Sequence, residues 1–395
     1  MLDTNTIALV KSTIPLLENV GVEITDHFYK RLFSHNPELK DIFNLSNQAT
    51  GRQQFALFSA VAMYAKHIDD LDALGELVER VAQKHTSFDI QPDQYQIVGH
   101  HLIETLREMA PNEFTDDIAE AWIKAYGLLA NVLIGREKEI YTEDVNKIGG
   151  WTGPRLFNVV DKTKESELVT SFIFAPADGG DIASYKPGQY IAVKLKPENS
   201  AHVEIRQYSL SDKYNGETYR ISVKKEFLPR PGLVSNHLHN NVQVGDQIEL
   251  MPPAGNFFLD HIDKPTILIS AGVGITPMMA MLETLIANQT QQPILFLHAN
   301  RNKKLHSYDE RVKSIAKQYV NINYYYWYSE TNDDENALDG YMNLNRLDFE
   351  IPFNEGHFYV CGRLEFMRSI KHQLLALNVS PDQIHYEVFG PHSDI

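Results

Sequence analysis

Cysteine is almost absent from the chain, because its 395 residues include a single one, Cys361. A lone thiol excludes an internal disulfide and a thiolate metal cluster, and it favours a reducing compartment. Long apolar runs are missing too: no stretch approaches the roughly 18 residues of a membrane span. Near the amino terminus, Asp3 stands where a secretion signal needs basic residues. We therefore expect a cytoplasmic protein without stable membrane insertion.

Positive charge is also scarce. Lysine and arginine number 36 against 52 aspartate and glutamate residues, for a formal net charge of −16. Such a surface repels phosphate backbones and anionic lipid headgroups, which excludes nucleic acid as an expected partner. Hydrophobic residues make up 43% of the chain, enough for substantial cores. The length predicts two or three domains.

Turn-forming residues are spread unevenly along the chain. The first 148 residues contain ten glycines and prolines, and the remaining 247 contain thirty. The first part is therefore expected to be helical, with Gly149–Trp151 as a linker. One apolar stripe at helical spacing supports this prediction. It consists of Leu77, Val78, Val81, Ala82 and His85.

The remainder shows two different strand patterns. Short alternating runs such as 189–195, 219–223 and 247–250 predict an antiparallel β-barrel. From residue 263 onward, apolar strands alternate with helices, which predicts a doubly wound parallel sheet. The predicted architecture is thus an all-α domain, an antiparallel β-barrel and an α/β domain, over residues 1–148, 152–262 and 263–395.

A glycine-containing turn follows the first apolar strand of the α/β region. Glycines there let the backbone approach a pyrophosphate, and the following helix offers free N–H groups and the positive end of its dipole. A tight strand–helix turn without a ligand is the plainer alternative. The candidate dinucleotide-binding residues are Gly272, Val273, Gly274, Ile275, Thr276 and Pro277.

Four residues at the end of a barrel strand resemble the Arg-x-Tyr-Ser motif of the ferredoxin–NADP reductase superfamily: Arg206, Gln207, Tyr208 and Ser209. The resemblance implies that Arg206 pairs with a flavin pyrophosphate and that Tyr208 lies against the isoalloxazine ring. Ser209 would hydrogen-bond near the reactive nitrogen of that ring.

Further segments resemble the same superfamily. Tyr190 matches another flavin contact, and Val360-Cys361-Gly362 matches a second nicotinamide-side turn. Cys361 can equally be an inert buried thiol. The carboxyl-terminal segment resembles an aromatic cover over the flavin, and it contains Glu387, Val388, Phe389, Gly390 and Pro391.

In the helical part, His85 lies on an apolar stripe, where a histidine is more often a satisfied core residue than a ligand. Three features favour a haem ligand. Phe43 follows a turn that begins with proline, which resembles the globin corner that packs on haem, and Gln53 and Leu57 share a helix face that could line the opposite side of a haem. Tyr29 places a phenol among apolar neighbours, where it needs a polar partner.

Across its whole length the chain resembles a flavohaemoglobin, with matching segments at 84–88, 95–99 and 384–392. The resemblance implies haem b, FAD and NAD(P)H as cofactors, with His85 as the proximal iron ligand. It implies that Tyr29 donates a hydrogen bond to bound oxygen and that Gln53 and Leu57 shape the distal pocket. Tyr95 and Glu137 would form a hydrogen-bond network behind the histidine, and Lys84 would adjust the haem potential.

The resemblance further implies nitric oxide dioxygenase activity, in which nitric oxide and oxygen yield nitrate. Two alternatives stay open: a flavin reductase for ferric ions or small acceptors, and a globin that stores or senses oxygen or nitric oxide. A carboxylate behind the proximal histidine argues against storage, since it makes the imidazole a stronger electron donor. We expect a monomer, and whether an apolar or lipid ligand enters the distal pocket stays open.

Three positions depart from the family pattern. Ile275 stands where glutamine is common, Val388 where cysteine is frequent, and Arg363 where proline is usual. None of them removes a chemically active side chain. They leave the choice between NADH and NADPH open.

Overall fold

The structure is a computed structural model that describes residues 2–19, 22–43, 52–228, 230–330, 334–347 and 353–389, without the side chains of 52–56. It divides into two compact units. The first comprises Met1–Lys147, Trp151–Pro154 and Lys194–Ile205, and the second comprises the rest of the chain. The predicted boundary between 262 and 263 falls inside the second unit, where it stays a prediction.

The first unit is helical, as predicted. Its helices are α1 (Thr4–Ser12), α2 (Ile14–Glu18), α3 (Val22–His35), α4 (Arg52–Lys66), α5 (Gly75–Thr86), α6 (Pro92–Met109) and α7 (Asp116–Asn146). Asp3 caps α1 by accepting a hydrogen bond from the Thr6 amide at 2.9 Å. Pro92 opens α6, where a missing N–H costs nothing. The core includes Phe28, Leu32 and Trp122, each almost fully buried.

Helix α7 has 31 residues and is long and apolar enough to span a membrane by length and composition alone. A core helix of similar composition passes the same test. This one packs against α1 and α5. It contributes Ala125 and Ala130 to the buried interior, together with the carboxylate of Glu137.

The segment Lys194–Ile205 belongs to the first unit because it contacts the 3₁₀ turn Pro37–Asp41. Asp41 Oδ1 accepts a hydrogen bond from the Val203 amide at 3.1 Å and lies 3.0 Å from Nδ1 of His202. The carboxylate of Asp41, which lies two residues before Phe43, therefore fixes the backbone of this segment.

The second unit contains most of an antiparallel sheet, which confirms the predicted barrel-type domain; the residues of this sheet that fall within Lys194–Ile205 belong to the first unit. Its strands are β1 (Arg155–Lys164), β2 (Val169–Pro176), β3 (Tyr190–Leu195), β4 (Glu204–Ser209), β5 (Tyr219–Lys224) and β6 (Gln247–Leu250), in the order β4-β3-β6-β1-β2-β5. Helix α8 (Leu233–Asn240) packs beside β5. The apolar side chains of Phe157, Phe172 and Ile221 are fully buried within the sheet's core.

A parallel sheet follows, as predicted for a doubly wound fold. Its strands are β7 (Thr266–Ala271), β8 (Ile294–Asn300), β9 (Ile322–Tyr328), β10 (Leu338–Asp339), β11 (His357–Cys361) and β12 (Ile384–Glu387), in the order β10-β9-β8-β7-β11-β12. Helices α9 (Ile275–Ala287), α10 (Asp309–Gln318) and α11 (Leu364–Ala376) connect them. The strand order reverses between β7 and β11, and ligands of such sheets bind at the carboxyl ends of the strands at this switch point.

Candidate functional site

The side chain of His85 lies near the end of α5 and faces two partners on other helices. Its Nδ1 lies 2.7 Å from the hydroxyl of Tyr95 on α6 and 2.9 Å from Oε1 of Glu137 on α7. Tyr95 also donates a short hydrogen bond to the same Glu137 oxygen. The structure thus brings together His85 and the two residues that the family resemblance places behind it.

The raised pKa of Tyr95 and the hydrogen bonds of the cluster together indicate which atoms of Tyr95 and His85 carry a proton. Burial, followed by the charge of Glu137, raises the pKa of Tyr95, so the phenol keeps its proton and donates a hydrogen bond to the carboxylate. The Tyr95 oxygen can then only accept from Nδ1–H of His85, as Glu137 does. With Nδ1 protonated, the neutral ring keeps a lone pair on Nε2, the arrangement a metal-ligating histidine needs.

Salt bridges hold the helices of this cluster in register. Arg136, next to Glu137, donates from Nε to Glu79 of α5 at 2.6 Å. The pKa of Arg136 is raised, chiefly by this bond to Glu79. Because Glu79 and His85 share α5, the ion pair fixes the spacing between the histidine and the carboxylate that orients it.

Two residues that sequence reasoning did not single out for the site position Tyr95. The Tyr126 hydroxyl donates to the carbonyl oxygen of Tyr95 at 2.9 Å. Gly99, one turn along α6, makes room for this ring, because a Cβ there would collide with Tyr126. The sequence does place Tyr126 on an apolar helical stripe, but such a stripe predicts only that the side chain is buried, not that it contacts Tyr95.

Glu137 also lines a cavity of about 480 Å³. Tyr141, whose hydroxyl donates to the Ile90 carbonyl at 3.0 Å, stands in its wall. The remaining lining residues include Gln91, Lys138 and Val145. The carboxylate therefore joins a buried hydrogen-bond network to an open space.

Three of the residues predicted for the distal side, Tyr29, Phe43 and Leu57, belong to the apolar core of the helical unit. Tyr29 is 5% exposed, and its ring lies 5.8 Å from that of Phe33 and 6.0 Å from that of Phe43. Leu57 is half-buried against the same core. Gln53 lies in α4, but its side chain falls outside the described residues.

The Tyr29 hydroxyl has no hydrogen-bond partner among the described side chains and backbone groups. Burial raises its pKa, so the phenol stays a donor. A buried phenol without a partner is costly unless something else accepts its proton. Among the described residues, the Tyr29 hydroxyl and Nε2 of His85 make no hydrogen bond, so these two atoms would be available to a bound haem and its oxygen ligand.

The predicted flavin residues occupy neighbouring strands. Leu210 N donates to the Gln189 carbonyl at 2.9 Å, which sets the end of β4 beside the start of β3. Ser209 and Tyr190 are thereby brought together, while burial raises the pKa of Tyr208 and keeps its phenol protonated. Gly255, at φ +111°, lies against the Tyr190 ring, where a Cβ would press on it. Arg206 and Gln207 precede Tyr208 on β4.

The glycine turn after β7 contacts the end of β11. A Cβ on Gly274 would collide with the carbonyl oxygen of Cys361, so only glycine allows this approach. Gly272 has φ +54° and open space in front of its Cα. Thr276 donates from its hydroxyl to the Val273 carbonyl at 3.0 Å. The turn thus fits a pyrophosphate at a helix amino terminus.

The carboxyl-terminal motif reaches the same edge of the sheet. Glu387 is paired with Cys361 across β11 and β12, and Phe389 beyond it is 44% exposed. Gly390 and Pro391 fall outside the described residues. Cys361 is fully buried, which raises the pKa of its thiol well above the ordinary value. This agrees with an unreactive thiol.

The three residues that depart from the family pattern fit the local structure around them. Ile275 is fully buried at the start of α9, and Arg363 is the residue before α11 in extended conformation. Val388 packs against the apolar cluster beside β12. None disturbs the contact between Gly274 and Cys361.

Comparison with family models finds three matches in chain order: a globin over residues 26–133, an oxidoreductase FAD-binding domain over 156–259 and an oxidoreductase NAD-binding domain over 268–372. These matches confirm the predicted cofactor set of haem, FAD and a nicotinamide dinucleotide. They also confirm the predicted fold class.

Known proteins extend this likeness over the full length. The flavohemoprotein of Vibrio cholerae serotype O1 is 52% identical, with all of both chains covered. The crystal structure of a flavohemoglobin from Malassezia yamatoensis with bound FAD and haem is 27% identical over 98% of this chain and 100% of that one, with a TM-score of 0.87.

A second solved structure covers the carboxyl-terminal part. It is the FAD/NAD-binding domain of nitric oxide dioxygenase from Vibrio cholerae O1, 47% identical over 60% of this chain and 99% of that chain, with a TM-score of 0.57. The likeness therefore extends over the helical part, the antiparallel sheet and the parallel sheet of this chain. The chain belongs to the flavohemoprotein family.

Proposed function

We propose that this protein is a nitric oxide dioxygenase, which converts nitric oxide and oxygen to nitrate at the expense of NAD(P)H in the cytoplasm. The observation that carries the proposal is the cluster of His85, Tyr95 and Glu137. An oxygen-storage globin gains little from a carboxylate that strengthens the proximal imidazole, whereas oxygen activation does.

Haem and FAD would supply the redox chemistry when bound: the flavin splits the two electrons of the nicotinamide into single ones, and the iron activates oxygen. Oxidation of nitric oxide to nitrate by oxygen needs one further electron, so one NAD(P)H serves two molecules of nitric oxide. This electron balance gives the assay its expected stoichiometry.

In the helical unit, His85 would hold the iron through Nε2 while Glu137 and Tyr95 fix its orientation and its Nδ1 proton. Tyr29 would hold a hydrogen-bond donor towards the opposite side of the haem. Phe43, Leu57 and Gln53 would line that side and exclude water. Lys84, next to His85, would adjust the potential of the haem by its charge.

In the second unit, Arg206 would pair with the flavin pyrophosphate and Tyr208 and Tyr190 would flank the ring, with Ser209 and Gln207 beside them. The segment 272–277 would bind the nicotinamide dinucleotide. Residues 387–391 would cover the flavin. We propose that the three cofactors divide among domains at 1–148, 152–262 and 263–395.

The test is nitric oxide consumption by the purified chain loaded with haem and FAD, in air, with and without NADH or NADPH. We expect rapid consumption that depends on the reduced dinucleotide, with nitrate as product and about two nitrates per dinucleotide oxidised. Comparing the two dinucleotides also settles the preference that the sequence left open.

Two results would reject the proposal. Flavin reduction with nitric oxide loss at the background rate indicates a reductase for other acceptors. A very stable oxygen complex that reacts slowly with nitric oxide indicates a storage or sensing globin.

A further inference from the structure

Three histidines from separate parts of the second unit converge at one place. His261 lies in the connector between β6 and β7, His357 begins β11, and His385 lies in β12. One ring nitrogen of each lies within 4.8 Å of the others. All three are half-buried. The flavin and nicotinamide chemistry described above uses none of them.

The rings already contact one another. Nδ1 of His357 lies 2.9 Å from Nε2 of His385, so one ring donates to the other. His261 stacks on His357 with 3.7 Å between ring centroids and 19° between planes. Three imidazoles from separate segments thus lie close enough together for their ring nitrogens to bind one ion.

Negative charge surrounds the cluster. Oδ1 of Asp260 lies 3.4 Å from Nε2 of His261 and accepts a hydrogen bond from the Tyr359 hydroxyl at 3.0 Å. The charge of Asp382 favours protonation of both His357 and His385, and Lys264 opposes it at His357. Burial, and to a smaller extent the neighbouring rings, lower the pKa of His357 and His385.

We propose that His261, His357 and His385 form a binding site for a divalent transition-metal ion, with Zn²⁺ as the ion of choice and Cu²⁺ as a tighter-binding substitute. Imidazole nitrogens suit both ions, and three histidines with a water in the fourth position form a complete tetrahedral zinc shell. Asp260 lies beside the ligands and offsets the charge of the ion, as carboxylates next to metal-bound histidines commonly do.

Binding requires the rings to rotate out of their stack, because His261 and His357 lie with only 19° between their planes and a ring nitrogen binds a metal in the plane of its ring. Metal–nitrogen distances of about 2.0–2.1 Å also bring the ligand nitrogens to within about 3.4 Å of each other. The proton shared by His357 and His385 moves to the other nitrogen of its own ring. The tautomer of that ring changes, while the number of its protons does not.

The site lies at the opposite end of β11 from the nicotinamide turn. His357 is the first residue of this strand and Cys361, which contacts Gly274, is the last. A bound ion would therefore join the connector that carries His261 to the parallel sheet without touching the dinucleotide. It would act as a structural clip, and its effect is on stability rather than on turnover.

The experiment uses the full-length holoprotein, first dialysed against EDTA, which removes divalent ions but leaves porphyrin-bound iron. Zn²⁺ binding is then measured by equilibrium dialysis and calorimetry, and the coordination shell by X-ray absorption at the zinc edge. The variants are H261N, H357N and H385N, with H372N as control because His372 is an exposed histidine on α11 of the same sheet domain. D260N tests the flanking carboxylate.

We expect one tightly bound Zn²⁺ per chain, a shell of three imidazoles, and higher thermal stability of the zinc-loaded protein. Each of the three ligand variants should lose this binding, H372N should keep it, and D260N should weaken it about 10- to 100-fold. The X-ray absorption spectrum of the zinc-loaded, unmutated protein tests the three-imidazole shell even where a variant folds poorly. Fewer than three imidazoles around the zinc, or equal binding by H357N and H372N, would overturn the proposal.

Discussion

Glu137 and His85 are 52 residues apart in sequence, yet Oε1 of the first lies 2.9 Å from Nδ1 of the second. The contact joins α7 to α5, and the same carboxylate oxygen accepts a hydrogen bond from the Tyr95 hydroxyl. Glu137 is 3% exposed. Two hydrogen-bond donors thus fix this buried carboxylate in place.

We predict that E137Q lowers nitric oxide turnover by about 10- to 100-fold, because an amide is a weaker acceptor and leaves the proximal imidazole a poorer donor. The iron–histidine stretching frequency of the ferrous protein should fall as well. E139Q is the matched control, since Glu139 lies on the same helix and is exposed. Full turnover in E137Q would contradict the orienting role.

We predict that Y29F accelerates loss of oxygen from the ferrous protein by about 10- to 100-fold, as expected when one strong hydrogen bond to a charged or polar ligand is removed. Folding stability should not fall, because the hydroxyl has no partner in the described structure. Y64F is the contrast: Tyr64 donates to the Ala125 carbonyl at 2.8 Å, so its loss should cost about 1 kcal/mol. Urea unfolding and stopped-flow oxygen release measure the two effects, and equal destabilisation would refute the distinction.

We predict that G274A weakens NADH-driven flavin reduction by about 10- to 100-fold, since the added Cβ meets the carbonyl of Cys361 and forces the turn away from β11. G135A is the control. Gly135 has nothing within 4 Å of its Cβ position in α7, so alanine should stabilise that helix by about 0.5–1 kcal/mol. Anaerobic flavin reduction and thermal unfolding provide the readings, and a G274A protein with normal reduction would show that the turn can shift freely.

We predict that the second unit loses stability as the pH falls below about 6.5. Burial lowers the pKa of His306 to about 3, and the ring stays neutral between the Tyr328 and Tyr324 hydroxyls at 2.9 and 2.8 Å. The unfolded chain binds a proton near pH 6.5 and the folded chain does not. The stabilisation is therefore complete above pH 6.5 and declines by about 1.4 kcal/mol per pH unit towards pH 3.

The measurement for this pH effect is the urea midpoint of FAD release at pH 7.5, 6.5 and 5.5. His298, fully buried beside His306, also has a lowered pKa and acts in the same direction. Asp309 lies 3.9 Å from the ring, but its carboxylate is paired with Lys313 at 2.7 Å. H306Q should flatten the pH dependence, and an identical slope in that variant would point to other groups.

Much of the fold could be predicted from the sequence because turn residues interrupt it sharply. Strand β7 and strand β6 end where they were predicted to end, at Ala271 and Leu250, since glycine or proline follows closely. The proximal cluster could be predicted only through family resemblance. No periodicity connects His85 to Glu137 across two helices.

What could not be predicted depends on three-dimensional packing. Gly99 reads as a weak point in a helix until the Tyr126 ring is seen above it. Trp151 reads as part of a linker, yet it is 9% exposed, because burying an indole outweighs the flexibility of the glycines before it. The histidine cluster leaves no spacing motif, because its members come from three distant segments.

The close approach of Gly274 to Cys361 has a consequence for protein engineering. Two turns whose backbones touch cannot be exchanged separately: a turn grafted from another reductase after β7 would meet a foreign partner at β11. Attempts to change the dinucleotide accepted by this protein should therefore transplant both turns together, or leave both in place and alter only the side chains around them.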